Sequence, residues 1–227
     1  MSQVLRARPV NVQVKHRGGF APPRYDLFKV DVSVSIAGKL AETYNLKSTG
    51  IVVNQNAAST QYLSFRHFLP GEPFRYFDVS IGLDQTEIVF SNPATVAELI
   101  GELGKVWNVV FEGLQPIITS NYFEASLHCE TEGSTKTFLN DLVNIQSNAP
   151  EIQKGFSVTA KAVDVDAVAR VGLEVSDSVP DGLYVMFVFV GKASVQDIVS
   201  FKRLFDVTLS TYRALQSLAR IEIVEPS

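Results

Sequence analysis

Three histidines, His16, His67 and His128, and a single cysteine, Cys129, are the side chains best suited to acid–base, nucleophilic or metal chemistry. No two histidines stand four apart, the spacing that puts two imidazoles on one helix face around a metal, so no metal site is expected. His67 alternates with Leu63, Phe65 and Leu69, which turns its ring toward the apolar side of a strand. An imidazole there could serve as acid, base or ligand anchor. His128 and Cys129 are adjacent, but neighbours on a strand leave opposite faces and cannot act as a nucleophile–base pair. Cys129 shares a face with Phe123, Ala125 and Leu127 and reads as a small core hydrophobe. Glu124 and His128 share the other face about 13 Å apart along the strand, too far to cooperate.

A lone cysteine excludes an intrachain disulfide and an all-thiolate zinc site. Arg17-Gly18-Gly19 offers backbone N–H groups to an anion, yet lacks the spacing of a phosphate-binding loop and the helix that should follow it. Nucleophile elbows, dinucleotide turns and calcium loops are absent. The sequence therefore names no catalytic residue, no metal and no cofactor, and leans against an enzyme. Two residues, His67 and Arg75, suit anchoring a ligand between helix and sheet. Tyr62, Arg66, Tyr76 and Asp78 suit an interaction surface on the outer face of the same hairpin, because tyrosine and arginine are common interface anchors.

These residues must be positioned by strands and two long helices. From Thr95 to Gln115, Val96, Leu99, Ile100, Leu103, Val106, Trp107, Val110, Phe111 and Leu114 recur at intervals of three and four and form one stripe of a helix. Thr95 and Glu98 have the spacing of a capping box. Gly101 and Gly104 suggest close approach of another backbone. A second helix is expected from Ser194 to about Ala219, with Ser194 and Asp197 repeating the capping pattern.

Alternation predicts strands at 10–14, 28–36, 50–53, 61–69, 74–83, 87–91, 122–131, 156–162, 167–175 and 183–190, and a last one at 220–224. The glycines and prolines of 15–24 should end the first strand. A turn centred on Gly71 would set Phe65 opposite Phe77 and leave Arg66 diagonal to Asp78. A short helix is expected within 134–146, and the polar stretch 148–155 is the best internal boundary.

The resulting fold class is α+β, an antiparallel curved sheet covered by two long amphipathic helices in a single domain over 1–227. Halves 1–148 and 155–227 each end in strand, cap and long helix, which suggests an internal duplication. The arrangement resembles helix-grip domains in outline.

With 46% hydrophobic and 19% charged residues and a formal net charge of −4, the composition is that of an ordinary globular protein without a disorder signature. The first thirty residues are basic, but this reads as a solvated strand and loop, so a nucleic-acid partner is not expected. No signal sequence or membrane span is read, and a cytoplasmic location is expected. The leading expectation is a non-catalytic binding or assembly protein acting through a sheet face, sheet edge or helix, with a protein partner or a second copy of itself. The alternatives are a small-molecule binder with an apolar cavity between helix and sheet, and an enzyme with a dispersed site around His67.

Overall fold

The computed structural model describes residues 4–47, 50–54, 62–71, 74–143, 155–162, 166–192 and 194–224. In the first half, β1 (Leu5–Phe20) is followed by a short 3-10 turn and α1 (Val30–Thr43). Then come β2 (Ile51–Val53), β3 (Leu63–Leu69), β4 (Arg75–Ile81), β5 (Gln85–Ser91) and α2 (Val96–Leu114). The second half runs β6 (Ile118–Thr131), α3 (Thr135–Val143), β7 (Phe156–Ala162), β8 (Ala167–Val175), β9 (Leu183–Gly191), α4 (Ile198–Leu218) and β10 (Ile221–Ile223). The fold is α+β, with one open ten-stranded sheet ordered β2-β3-β4-β5-β1-β6-β9-β8-β7. Pairing is antiparallel except that β10 joins the start of β1 in parallel. The expected boundary at 148–155 lies, apart from Gly155, outside the described residues.

The largest departures from the sequence expectation are in α1 and β1. Residues 30–43 are helix α1, not a strand. The run Val30, Val32, Val34 and Ile36 satisfies period two, but Ser33, Ile36 and Leu40 are the buried positions, at helical intervals. Val30 and Val34 face solvent. The first strand also continues through its two glycines to Phe20. Gly18 faces the Trp107 indole so closely that a Cβ would lie 2.6 Å from the ring, so the glycine there makes room for tryptophan. The same logic brings α1 against α2, where a Cβ on Gly113 would lie 2.7 Å from Ile36 Cγ1. Gly101 meets nothing within 4 Å and Gly104 only touches Ile198 of α4, so Gly113 is the glycine of close approach.

The β3–β4 hairpin keeps the expected faces with a different register. His67 stands opposite Phe77, and Arg66 directly opposite Asp78, because the connection is longer than a turn centred on Gly71 allows. Thr95 caps α2, its hydroxyl accepting from the Glu98 N–H at 3.1 Å. The Glu98 carboxylate takes the Ala94 N–H instead of closing a box on Thr95. α4 begins later than expected. Its cap is Asp197, paired reciprocally with Ser200, because Val195 is buried and bridges Ile118 through two 2.9 Å backbone bonds.

Alternation divides the sheet into two faces. One carries Phe65, Phe77, Phe90, His16, Phe123, Phe187 and Phe189 and is covered by the helices. Leu103, Val106, Trp107 and Val110 of α2 are buried on it, each contributing roughly 1.5–3 kcal/mol. The other face is open, its side chains exposed or half-buried from β3 to β8 apart from glycine and Ser91.

Candidate functional site

Between α4, the entry to α2 and the central strands lies a cavity of about 250 Å³. Its floor comes from β6 and β9, where Phe123, Leu127 and Phe187 are buried. Phe205, Leu209 and Tyr212 of α4 form one wall and Leu99 of α2 another. These positions arise from simple periodicities: Phe123, Ala125 and Leu127 share a strand face, and Phe205, Leu209, Tyr212 and Gln216 share a helix stripe at intervals of four, three and four. Phe205 meets Phe123 edge-on at 5.6 Å, and Tyr212 packs on Phe187 at 5.0 Å.

The mouth is built by chain irregularities. In β1 the pairing with β6 shifts between Pro9 and Asn11, a bulge that lets proline sit in an inner strand. Opposite it, Asn92 adopts a positive φ of 52°. Its side chain accepts from the Val12 N–H at 2.8 Å and donates to the Phe74 carbonyl at 3.0 Å. This fixes Pro93, Ala94 and Thr95 as one lip of the cavity. Arg213 lies exposed at the other.

The polar groups of the cavity concentrate on the last turns of α4. Thr208 is spent on the Leu204 carbonyl, at 2.9 Å. Burial pushes the Tyr212 hydroxyl well above the ordinary phenol range, Cys129 adds to this, and the neighbouring Gln216 carboxamide works against it. Tyr212 therefore stays protonated and can donate. Gln216 Nε2 is buried beside the Tyr212 hydroxyl and makes no hydrogen bond of good geometry among the described residues, and Arg213 forms no ion pair among them. A buried donor left unsatisfied costs stability, which makes Gln216 the notable residue of the wall.

The residues singled out from sequence fall elsewhere. Arg75 is a structural strap. It donates to the Asn92 carbonyl at 2.9 Å and the Pro70 carbonyl at 2.8 Å, and it pairs with the Glu98 carboxylate. The half-buried His67 ring packs on Tyr44 and Phe77 at 5.4 and 5.3 Å, away from the cavity. Tyr62 is buried edge-on to Phe28, so it is not on the outer face. Arg66, Asp78 and Tyr76 do meet on the open face. Two 2.6 Å bonds join Arg66 to Asp78, and its guanidinium lies 4.4 Å over the Tyr76 ring.

His16 is the fully buried histidine. Its Nδ1 accepts from Trp107 Nε1 at 3.0 Å, and Phe123 stacks on it at 4.1 Å. Burial lowers its pKa to about 3, against a smaller raising effect from Asn121, so it is neutral and structural. Continuing the alternation Val10, Val12, Val14 past the expected strand end would have revealed it. His128 bonds Ser176 Oγ at 2.9 Å on the open face, and burial pushes the Cys129 thiol up to about 12.

Among the described residues no three histidine, cysteine or acidic side chains gather as metal ligands. No described helix is long and apolar enough to cross a membrane. No protein-family model matches the chain, and no curated protein matches it.

Proposed function

We propose that this protein is a non-catalytic binder of a small, largely apolar molecule, held between α4, the entry to α2 and strands β1, β6 and β9. The observation that supports this reading is the cavity of about 250 Å³ with an aromatic floor and a polar mouth, the usual form of a small-molecule site. Interiors are normally packed to crystal density, and an unfilled apolar space reduces stability. Native mass spectrometry tests the reading. The purified protein should carry a small-molecule adduct that is lost on denaturation, and Ala125→Leu, which fills the floor, should purify without it. An adduct-free wild-type protein whose melting temperature is unmoved by eight-carbon acids and alcohols would overturn it.

A second reading, protein binding or self-assembly through the open face, is supported by one cluster. Phe68 and Phe74 are 54% and 63% exposed, and they pack on each other at 5.3 Å and on Tyr76 at 6.3 and 5.6 Å. Exposed aromatic clusters of this kind mark interaction sites. Light scattering of wild type and Phe74→Ser should then show a larger species only for the wild type.

The architecture also favours descent from a duplicated unit. Each half runs strand, helix, strands, helix, and the halves meet along the β1–β6 seam. A cytoplasmic setting suits a chain with one buried thiol.

A further inference from the structure

The cavity presents hydrogen-bond donors at one end and hydrocarbon at the other. On α4, Tyr212, Arg213 and Gln216 bring a protonated hydroxyl, a guanidinium and a buried amide to the mouth. Guanidinium has five donors and no acceptor, and Gln216 Nε2, beside the Tyr212 hydroxyl, makes no hydrogen bond of good geometry among the described residues. The facing lip is the first turn of α2 at Thr95 and Val96, the positive end of that helix dipole. One acidic residue, Glu124, belongs to the lining. It alternates with Phe123 and Ala125 to the open face, where the Tyr122 hydroxyl binds its carboxylate. At this lip the Glu98 carboxylate accepts the Ala94 N–H and is neutralised by Arg75, so the mouth offers donors with no unpaired carboxylate of the lining turned inward.

The size of the ligand follows from the volume. At about 30 Å³ for each water-sized group, 250 Å³ holds roughly eight non-hydrogen atoms. We infer, building on the cavity reading above, that the occupant is a single-chain carboxylic acid of about six to eight carbons, its carboxylate oxygens at the open mouth. Its chain lies on Phe123, Phe187 and Phe205, and its carboxylate sits at the mouth against Arg213, Gln216 and Tyr212. The guanidinium and amide donate to the two carboxylate oxygens, and these charge-assisted bonds are stronger than those an alcohol can accept.

Calorimetric titration of the full chain with octanoate, 1-octanol and octylamine at pH 7.5 tests this. Octanoate should bind about tenfold more tightly than 1-octanol, and octylamine most weakly. Arg213→Gln should weaken octanoate about fivefold, and Gln216→Leu about tenfold, with 1-octanol changed less than about twofold in both. Octanol binding as tightly as octanoate, or an octanoate affinity indifferent to both substitutions, would overturn the carboxylate assignment and leave the apolar cavity standing. Failure of all three probes, or binding unaffected by Ala125→Leu, would overturn the cavity reading itself. The comparison of acid with alcohol uses only the wild-type protein, so it holds even where a variant folds poorly.

Discussion

Under α2, the Trp107 indole occupies the space between β1 and the helices, meeting His16, Phe20, Phe111 and Phe201 at centroid distances from 5.3 to 6.5 Å. Under α4, Phe205 reaches Phe123, but Thr208, Leu209 and Tyr212 border open volume, and Leu209 and Tyr212 are only half-buried. Both helices enter from a strand through a capped turn and lie on the same face of one sheet. Side-chain size at the points of closest approach separates them. Gly18 opposite a tryptophan lets β1 and α2 close into a solid interior. Ala125 and Thr208, both small, bring no comparable ring to the space beneath α4. The first half spends its volume on stability, and the second keeps some of it for a guest.

The contrast can be broken from the solid side first. Trp107→Ala should cost about 3–5 kcal/mol, the range for emptying a large buried aromatic, and urea denaturation will show whether the chain still folds. The His16 site beneath it should set the pH response. The unfolded chain takes up a proton near the ordinary imidazole value of 6.5 and the folded chain only near 3. Stability from this group is therefore full above pH 6.5 and falls as pH drops toward 3. The slope is about 1.4 kcal/mol per pH unit, or roughly 3 kcal/mol by pH 4.5. Denaturation curves at several pH values should show that slope in the wild type and lack it in His16→Gln. Gly18→Ala should cost about 1–3 kcal/mol, because the added methyl meets the buried indole, and a thermal melt will read it. On the hollow side, Leu209→Ala removes a half-buried wall and should cost about 1 kcal/mol or less. A Leu209 effect as large as that of Trp107 would mean that the two sides are packed alike.

Much of the solid side was legible in the sequence. The stripe from Val96 to Leu114 and its Thr95 cap appear as expected, because a long 3.6 periodicity admits one reading. The run from Phe28 to Ile36 admits two, since its β-branched residues satisfy period two while Ser33, Ile36 and Leu40 satisfy the helical one, and packing on Gly113 decides between them. Gly18 and Gly19 look like strand breakers until the indole that needs the space is known. Tyr212 belonged to the expected stripe of α4. Arg213 and Gln216 carried no local signal, because a cavity is the volume that distant elements leave unfilled and no single segment encodes it. His67 and Arg75 looked available for a ligand, but tertiary packing commits them to Tyr44 and Phe77, and to the lip around Asn92.

Diffraction from xenon-pressurised crystals of the protein freed of any bound small molecule tests the difference between the two sides most directly, because apolar cavities take up xenon without any choice of ligand. A xenon peak is expected between Phe123, Phe187 and Leu209 and none around Trp107. An empty space beneath α4, or equal xenon beneath both helices, would contradict that expectation.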